Sequence, residues 1–261
     1  MNVGKYIERI DYHGKLSVDH DCLRHLHRCH VMSVPFENMD IQLHRKIKLD
    51  PTSLYDKVVL HNRGGFCYEL NYLFYSLLNE IGFNTSMISA RIFENDSYGP
   101  PFDHMSILVE LDTYWLVDVG YGDLFMEPLK IYATGVQKDS LKKYRIEQLN
   151  DGTFLLLESL ADKQEYLKRY IFELQARTID EFSNQCEYKQ SSPDSYFVQN
   201  TICTIPMEHG RKTIFNDLFK IRDNGKVREA KIGGADNLLR ILKDEFNITM
   251  DNKESYAVQS H

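Results

Sequence analysis

The stretch Arg63-Gly64-Gly65-Phe66-Cys67-Tyr68-Glu69-Leu70-Asn71 joins two glycines to a lone cysteine, and that cysteine to an apolar repeat. Leu70, Leu73, Phe74, Leu77, Leu78 and Ile81 recur at steps of three, one, three, one and three, the spacing of one face of an α-helix. Gly82 follows as a natural stop. Cys67 therefore falls on the first turn, where unpaired backbone N–H groups and aligned peptide dipoles favour an anion. A thiol so placed spends more time as the nucleophilic thiolate. Arg63, four residues earlier, adds positive potential. The bland alternative is an inert packing cysteine; the glycine loop before it and the helix start after it favour chemistry.

A thiolate nucleophile needs a base to hold or take a proton, and the base needs a group to orient it. His104 opens a β-rich run, His104 to Leu111, and Asp118 lies near the end of the next, Tyr114 to Val119. A hairpin between the runs brings both residues to one end. Whether they share a face depends on register. A two-residue turn at Asp112-Thr113 pairs 104 with 121 and 107 with 118, which puts His104 and Asp118 on opposite faces. A catalytic pairing therefore requires an odd-numbered loop or a bulge.

These residues must be positioned by the elements around them. Ser17 is read as an N-cap, with Asp19 and Asp21 in the first turn and Leu23, Leu26 and His30 on one face of the helix that follows. Asp50-Pro51 opens another helix. Between them Val34 to Met39 is an extended apolar segment carrying one carboxylate, Glu37, whose expected partner is Arg63. From about Thr85 the period changes to that of strands: Met87 to Phe93, the two runs above, Tyr144 to Leu149 and Phe154 to Glu158, with a loop over Asn95 to Pro101. A helical stretch near Thr178 to Tyr188 precedes a β-rich Tyr196 to Arg228, with a turn at His209-Gly210-Arg211, and Gly234 to Phe246 is helical. A helical first part, then strands, then a mixed tail reads as α+β with segregated layers.

The chain of 261 residues is 43% hydrophobic, enough for a sizeable core. A net charge of -7 without a basic cluster argues against nucleic acid as a partner. No stretch approaches the about 18 apolar residues a membrane span needs, and residues 1–14 mix charged with apolar positions and read as no signal peptide. Five scattered cysteines fit a reduced, cytoplasmic setting better than a disulfide scaffold.

The nine-residue cysteine motif, preceded by Pro35-Phe36-Glu37-Asn38 and followed by His104 and Asp118-Val119-Gly120-Tyr121-Gly122, resembles the arylamine N-acetyltransferase family in order and spacing. The likeness is specific over 30–125. It continues more weakly through Asp180-Glu181-Phe182 and Ser192-Pro193-Asp194-Ser195-Tyr196-Phe197. The resemblance implies an N-terminal helical bundle (1–84), a central antiparallel β-barrel (85–190) and a C-terminal α/β lid (191–261) around a cysteine-protease-like core. It implies a triad of Cys67, His104 and Asp118, with Arg63 and Glu37 as a supporting ion pair. It further implies acetyl-CoA as acyl donor, an arylamine or hydrazine as acceptor, and no metal. Tyr121 falls where the family often has a Phe against the arylamine, and Phe36 is expected beside it. Asp123 after Gly122 is less typical of the motif. Phe102, Asp103 and Thr204 are the expected contacts of the CoA.

Two other readings compete. The same three residues can serve a papain- or transglutaminase-like cysteine amidohydrolase, which the glycine loop does not exclude. His20, Cys22, His25, His27, Cys29 and His30 crowd one helix, but a zinc site needs about four converging ligands. Only His20, His27 and His30 share a face, so a solvated or partly buried helix face is the expected outcome.

Overall fold

A computed structural model describes residues 1–250; 251–261, the end of the expected lid, lie outside the described residues. Helices α1 (Val3–Arg9), α2 (His20–Ser33), α3 (Met39–Gln42), α4 (Pro51–Tyr55) and α5 (Cys67–Ile81) dominate the first third, and α4 runs on into a π-helical turn at Asp56–Leu60. Later come α6 (Ser183–Ser191), α7 (Tyr196–Gln199) and α8 (Ala235–Phe246). The strands are β1 (Phe36–Glu37), β2 (Asn84–Glu94), β3 (Ser97–Tyr98), β4 (His104–Glu110), β5 (Tyr114–Val117), β6 (Leu129–Lys130), β7 (Gln137–Lys138), β8 (Lys142–Gln148), β9 (Phe154–Leu160) and β10 (Leu167–Phe172). After them come β11 (Ile202–Met207), β12 (Gly210–Phe215), β13 (Leu218–Asp223) and β14 (Lys226–Lys231). The class is α+β. One antiparallel sheet, ordered β6-β5-β4-β2-β10-β9-β8-β7 with β3 on β2, curls into a nearly closed barrel. The other runs β1-β11-β12-β13-β14, so a strand from the helical third forms its first edge.

α5 is the central helix. Leu70, Leu73, Phe74, Leu77 and Leu78 are fully buried, each contributing about 2 kcal/mol by removal from water. Gly82 ends the helix in the left-handed region at φ 107. The stripe packs on β2 and β4. Along β4, Met105, Ile107 and Val109 join the core shared with the helices, while Leu108 faces the barrel interior, the alternation that strand geometry imposes.

The β4–β5 hairpin closes through three residues, Leu111-Asp112-Thr113, with Glu110 opposite Tyr114 and Ile107 opposite Val117. Carried one residue further, this register sets Asp118 opposite Ser106. The odd count puts His104, Ser106 and Asp118 on one face.

Several local expectations need correcting. The N-cap of α2 is Asp19, whose carboxylate accepts the Cys22 N–H at 2.8 Å; Ser17 lies two residues too early and instead offers its N–H to the Cys22 sulfur. Within Asn95 to Pro101 the chain doubles back to form β3, because Asn95 and Asp96 both adopt positive φ and make a tight turn. Tyr196 begins a short helix capped by Ser195, not a strand. The β11–β12 turn is Glu208-His209, with Gly210 already paired to Met207. No helix of the described residues is long and apolar enough to cross a membrane.

The glycine loop has a steric cause. A Cβ on Gly64 would stand 2.0 Å from the Pro35 carbonyl oxygen and 2.8 Å from Glu37 Cγ. Gly64→Ala is therefore expected to destabilise the fold by about 2 kcal/mol or more, read as a lowered midpoint of urea unfolding. An unchanged midpoint would show that the loop and β1 do not pack this closely.

Candidate active site

Cys67 is the first residue of α5, and a buried charge network holds that helix end. Glu69 folds back to accept the Phe66 N–H at 3.1 Å and takes an ion pair from Lys57 at 2.8 Å. Lys57 also meets Asp40 at 2.7 Å. Arg63 spans Glu37 at 2.9 Å and Asp40 at 3.0 Å, and Glu37 accepts the Gly64 N–H as well. Burial alone pushes Asp40 up, but Lys57 and Arg63 outweigh it and hold the carboxyl at about 2. The expected Arg63–Glu37 pair is thus present as part of a larger set. Asp40 and Lys57 were not legible as members, because neither stands in the motif.

His104 and Asp118 meet at 2.6 Å, Nε2 to Oδ2, with both side chains buried. The same carboxylate accepts from Asn71 Nδ2 at 2.8 Å, the Gly120 N–H at 3.1 Å, and the Ser106 and Tyr170 hydroxyls at 3.2 Å each. Burial raises Asp118, and the His104 charge and these donors outweigh it, so its carboxyl lies below the usual range. Burial pulls His104 down, yet the Asp118 charge and hydrogen bond, followed by those of Cys67, raise it to about 10. The carboxylate holds one nitrogen of the ring, and Cys67 lines the same cleft as the ring. A histidine held by a carboxylate, in one cleft with a thiol at a helix N-terminus, is an arrangement suited to a cysteine nucleophile.

Two residues beside Cys67, His104 and Asp118 complete the geometry. Asn71, one turn after Cys67 on the same helix face, donates to Asp118 and to the Met105 carbonyl and accepts the Val119 N–H at 2.9 Å. The i+4 spacing from Cys67 was the available signal. Gly120 lies so close to α5 that a Cβ would stand 2.8 Å from the Cys67 carbonyl oxygen and 2.9 Å from its Cα. A side chain there would push the Asp118 loop off the helix.

Cys67 is 3% exposed, but it lines an open cleft of about 830 Å³ together with Phe36, His104, Tyr121, Arg169 and Lys189. Tyr121 sets its ring edge-on to His104 at 5.4 Å, and burial pushes its hydroxyl up to about 12. Asp103 and Thr204 also line this cleft, Asp103 in an ion pair with Lys189 at 2.8 Å. Phe102, at φ 62, packs its ring on Phe182. Asp123 is held at about 2: burial raises it, and Arg211, Lys142 and Arg169 outweigh that. In α2, His27 and His30 are buried and His20 packs its ring, tilted, on Trp115. Among the described residues no group of three or more metal-ligating side chains converges.

Fold and site together define an α+β enzyme with a helix-borne cysteine opposite a histidine and an aspartate carried by a barrel. The profile of the N-acetyltransferase family matches residues 19–255. The chain is 30% identical to the arylamine N-acetyltransferase, pineal gland isozyme NAT-3, of Gallus gallus, over 97% of this chain and 96% of that protein. It is also 30% identical to the arylamine N-acetyltransferase of Escherichia coli (strain K12), over 97% and 91%. The solved arylamine N-acetyltransferase of Salmonella typhimurium superposes with a TM-score of 0.89 at 27% identity, over 98% of this chain and 94% of that one. The Mycobacterium marinum arylamine N-acetyltransferase in complex with CoA gives 0.86 at 25%, over 95% and 93%. The chain belongs to the arylamine N-acetyltransferase family and is an acyltransferase.

Asp118→Asn keeps the shape of the carboxylate and removes its charge. It is expected to lower kcat/KM by about 10³- to 10⁴-fold with little change in fold by circular dichroism. A loss under tenfold would mean that His104 does not depend on this carboxylate.

Proposed function

We propose that this chain moves an acetyl group from acetyl-CoA to the nitrogen of an arylamine or arylhydrazine in two displacements through an acetyl-cysteine at Cys67. The observation that carries the reading is the 2.6 Å contact of His104 to the buried Asp118, in the cleft that Cys67 also lines. In the first half the Cys67 sulfur attacks the thioester carbonyl, and the carbon–sulfur bond to CoA breaks. The departing CoA thiolate takes the proton of the His104 imidazolium and leaves as the free thiol. In the second half the amine nitrogen attacks the acetyl-cysteine, neutral His104 accepts the amine proton, and the Cys67 thiolate is regenerated. Both halves pass through a tetrahedral oxyanion, for which the Cys67 backbone N–H at the start of α5 is the proposed donor.

In this reading Phe36 and Tyr121 hold the aromatic acceptor, and Arg63 with Glu37 fixes the glycine loop beneath the nucleophile. Asp103 and Thr204, on the cleft wall, are the proposed neighbours of the CoA; Phe102 is a weaker choice, since its ring lies on Phe182. The divisions at 84 and 190 are kept as the proposed domain limits. Cytoplasmic placement belongs to the same reading, on five free thiols.

The test is intact mass spectrometry after mixing with acetyl-CoA and no acceptor. The expected result is a gain of one acetyl group with release of one CoA per chain, absent in Cys67→Ala, followed by loss of the adduct on adding an arylamine. Neither adduct nor CoA release would favour the amidohydrolase alternative.

A further inference from the structure

Resting on the acyl-transfer reading of Cys67, His104 and Asp118, we infer that His27 is a positioning residue for the reaction: from α2, its ring pins both ends of the loop 118–126 and so sets Asp118 against His104. His27 is fully buried. Its Nδ1 lies 3.0 Å from the Met126 carbonyl oxygen. Its Nε2 lies 3.4 Å from the Asp118 nitrogen and 3.2 Å from the Asp118 oxygen. The ring stacks on Phe125 at 5.6 Å and 19°, and meets Phe74 of α5 edge-on. One side chain thus touches residues 118, 125 and 126 of a loop whose middle carries Gly120 against Cys67 and Tyr121 against His104.

Burial lowers the pKa of His27 and outweighs the pull of the Met126 and Asp118 groups. The neutral ring has one donor and one acceptor. We assign the hydrogen to Nδ1, 3.0 Å from the Met126 oxygen, which leaves the Nε2 lone pair for the Asp118 N–H. With the hydrogen on Nε2 the ring would instead donate to the Asp118 oxygen at 3.2 Å, so residue 118 is held by His27 in either tautomer. That N–H needs a partner, because the β4–β5 ladder ends at Val117 and a buried backbone donor cannot be left bare. An apolar residue at 27 would fill the space and orphan both backbone groups, and the loop would shift to find others. Since Asp118 meets His104 at only 2.6 Å, a small displacement of its backbone is felt directly in the imidazolium. His27 touches no reacting atom and acts only through Asp118.

The test uses the full chain with His27→Leu, His27→Asn and His27→Gln. Asn keeps a donor toward Met126 and loses the acceptor for Asp118; Gln can restore an acceptor near the Asp118 N–H. Two readings are taken: kcat per active site, with sites counted by the initial release of CoA, and the rate of Cys67 alkylation by iodoacetamide at pH 7 relative to pH 10. The expected result is a loss of about ten- to a hundredfold in kcat per counted site in His27→Leu. The KM for acetyl-CoA should be nearly unchanged, and the pH 7 to pH 10 alkylation ratio should fall. His27→Asn should show the same changes to a lesser degree, and His27→Gln should regain much of both. A merely structural histidine would reduce the number of sites and leave the kcat per site and the alkylation ratio where they are. That outcome in His27→Leu, or in His27→Asn should the leucine variant not fold, overturns the inference. The alkylation ratio needs no acetyl-CoA, so it judges His27 even if the wild type releases no CoA, a result that would count against the acetyl-cysteine reading instead.

Discussion

A carboxylate taken out of water must have its charge met by donors from the protein, and Asp118 is met by five. They come from α5 (Asn71), from β4 (His104 and Ser106), from β10 (Tyr170) and from its own loop (Gly120). No single element supplies the set. The helical third and the barrel must be closed on each other for this charge to be tolerated at all, so the buried carboxylate fixes how the two halves of the site face each other. The consequence at the far end is a histidine that holds its proton. A group whose proton is bound more tightly in the folded state adds stability that is fully present below its ordinary value near 6.5 and is lost as pH climbs toward about 10. The pair therefore ties the charge state of the site to the folded state itself.

A second buried charge set works from the other side. Glu37, Asp40 and Glu69 face Lys57 and Arg63, and between them they fix β1, the glycine loop and the first turn of α5. Cys67 stands between these two networks, one gripping its helix and one holding the imidazole. Each network is costly to desolvate and damaging to break singly. Their net contribution is less to stability than to keeping one thiol in one place.

Much of this could be read from the chain because the relevant signals are local. The stripe from Leu70 to Ile81 with Gly82 marks α5 by spacing alone, and Cys67 lies at its start by counting. Requiring His104 and Asp118 to share a face left an odd-numbered loop or a bulge, and the turn at Leu111-Asp112-Thr113 is the first of these. What stayed hidden depends on contacts between distant segments. Ser17 and Asp19 are both competent caps, and only the extended backbone at Asp19 decides between them. Asp40, Lys57, Ser106 and Tyr170 are ordinary polar residues until folding buries them beside a charge. The His and Cys residues of α2 looked like a metal question; in the fold they serve packing and hydrogen bonding, with His30 bonded to Tyr6 at 3.1 Å and His27 to the loop after β5.

The chemistry of the site turns on one proton. Nitrogen-detected NMR of the His104 imidazole across pH 5 to 11, with His104→Gln to assign the signals, reads its charge directly. The ring should remain an imidazolium through neutral pH and release its proton only toward about 10. A titration centred near 6.5, as for an unperturbed histidine, would contradict the buried ion pair and the thiol chemistry built on it.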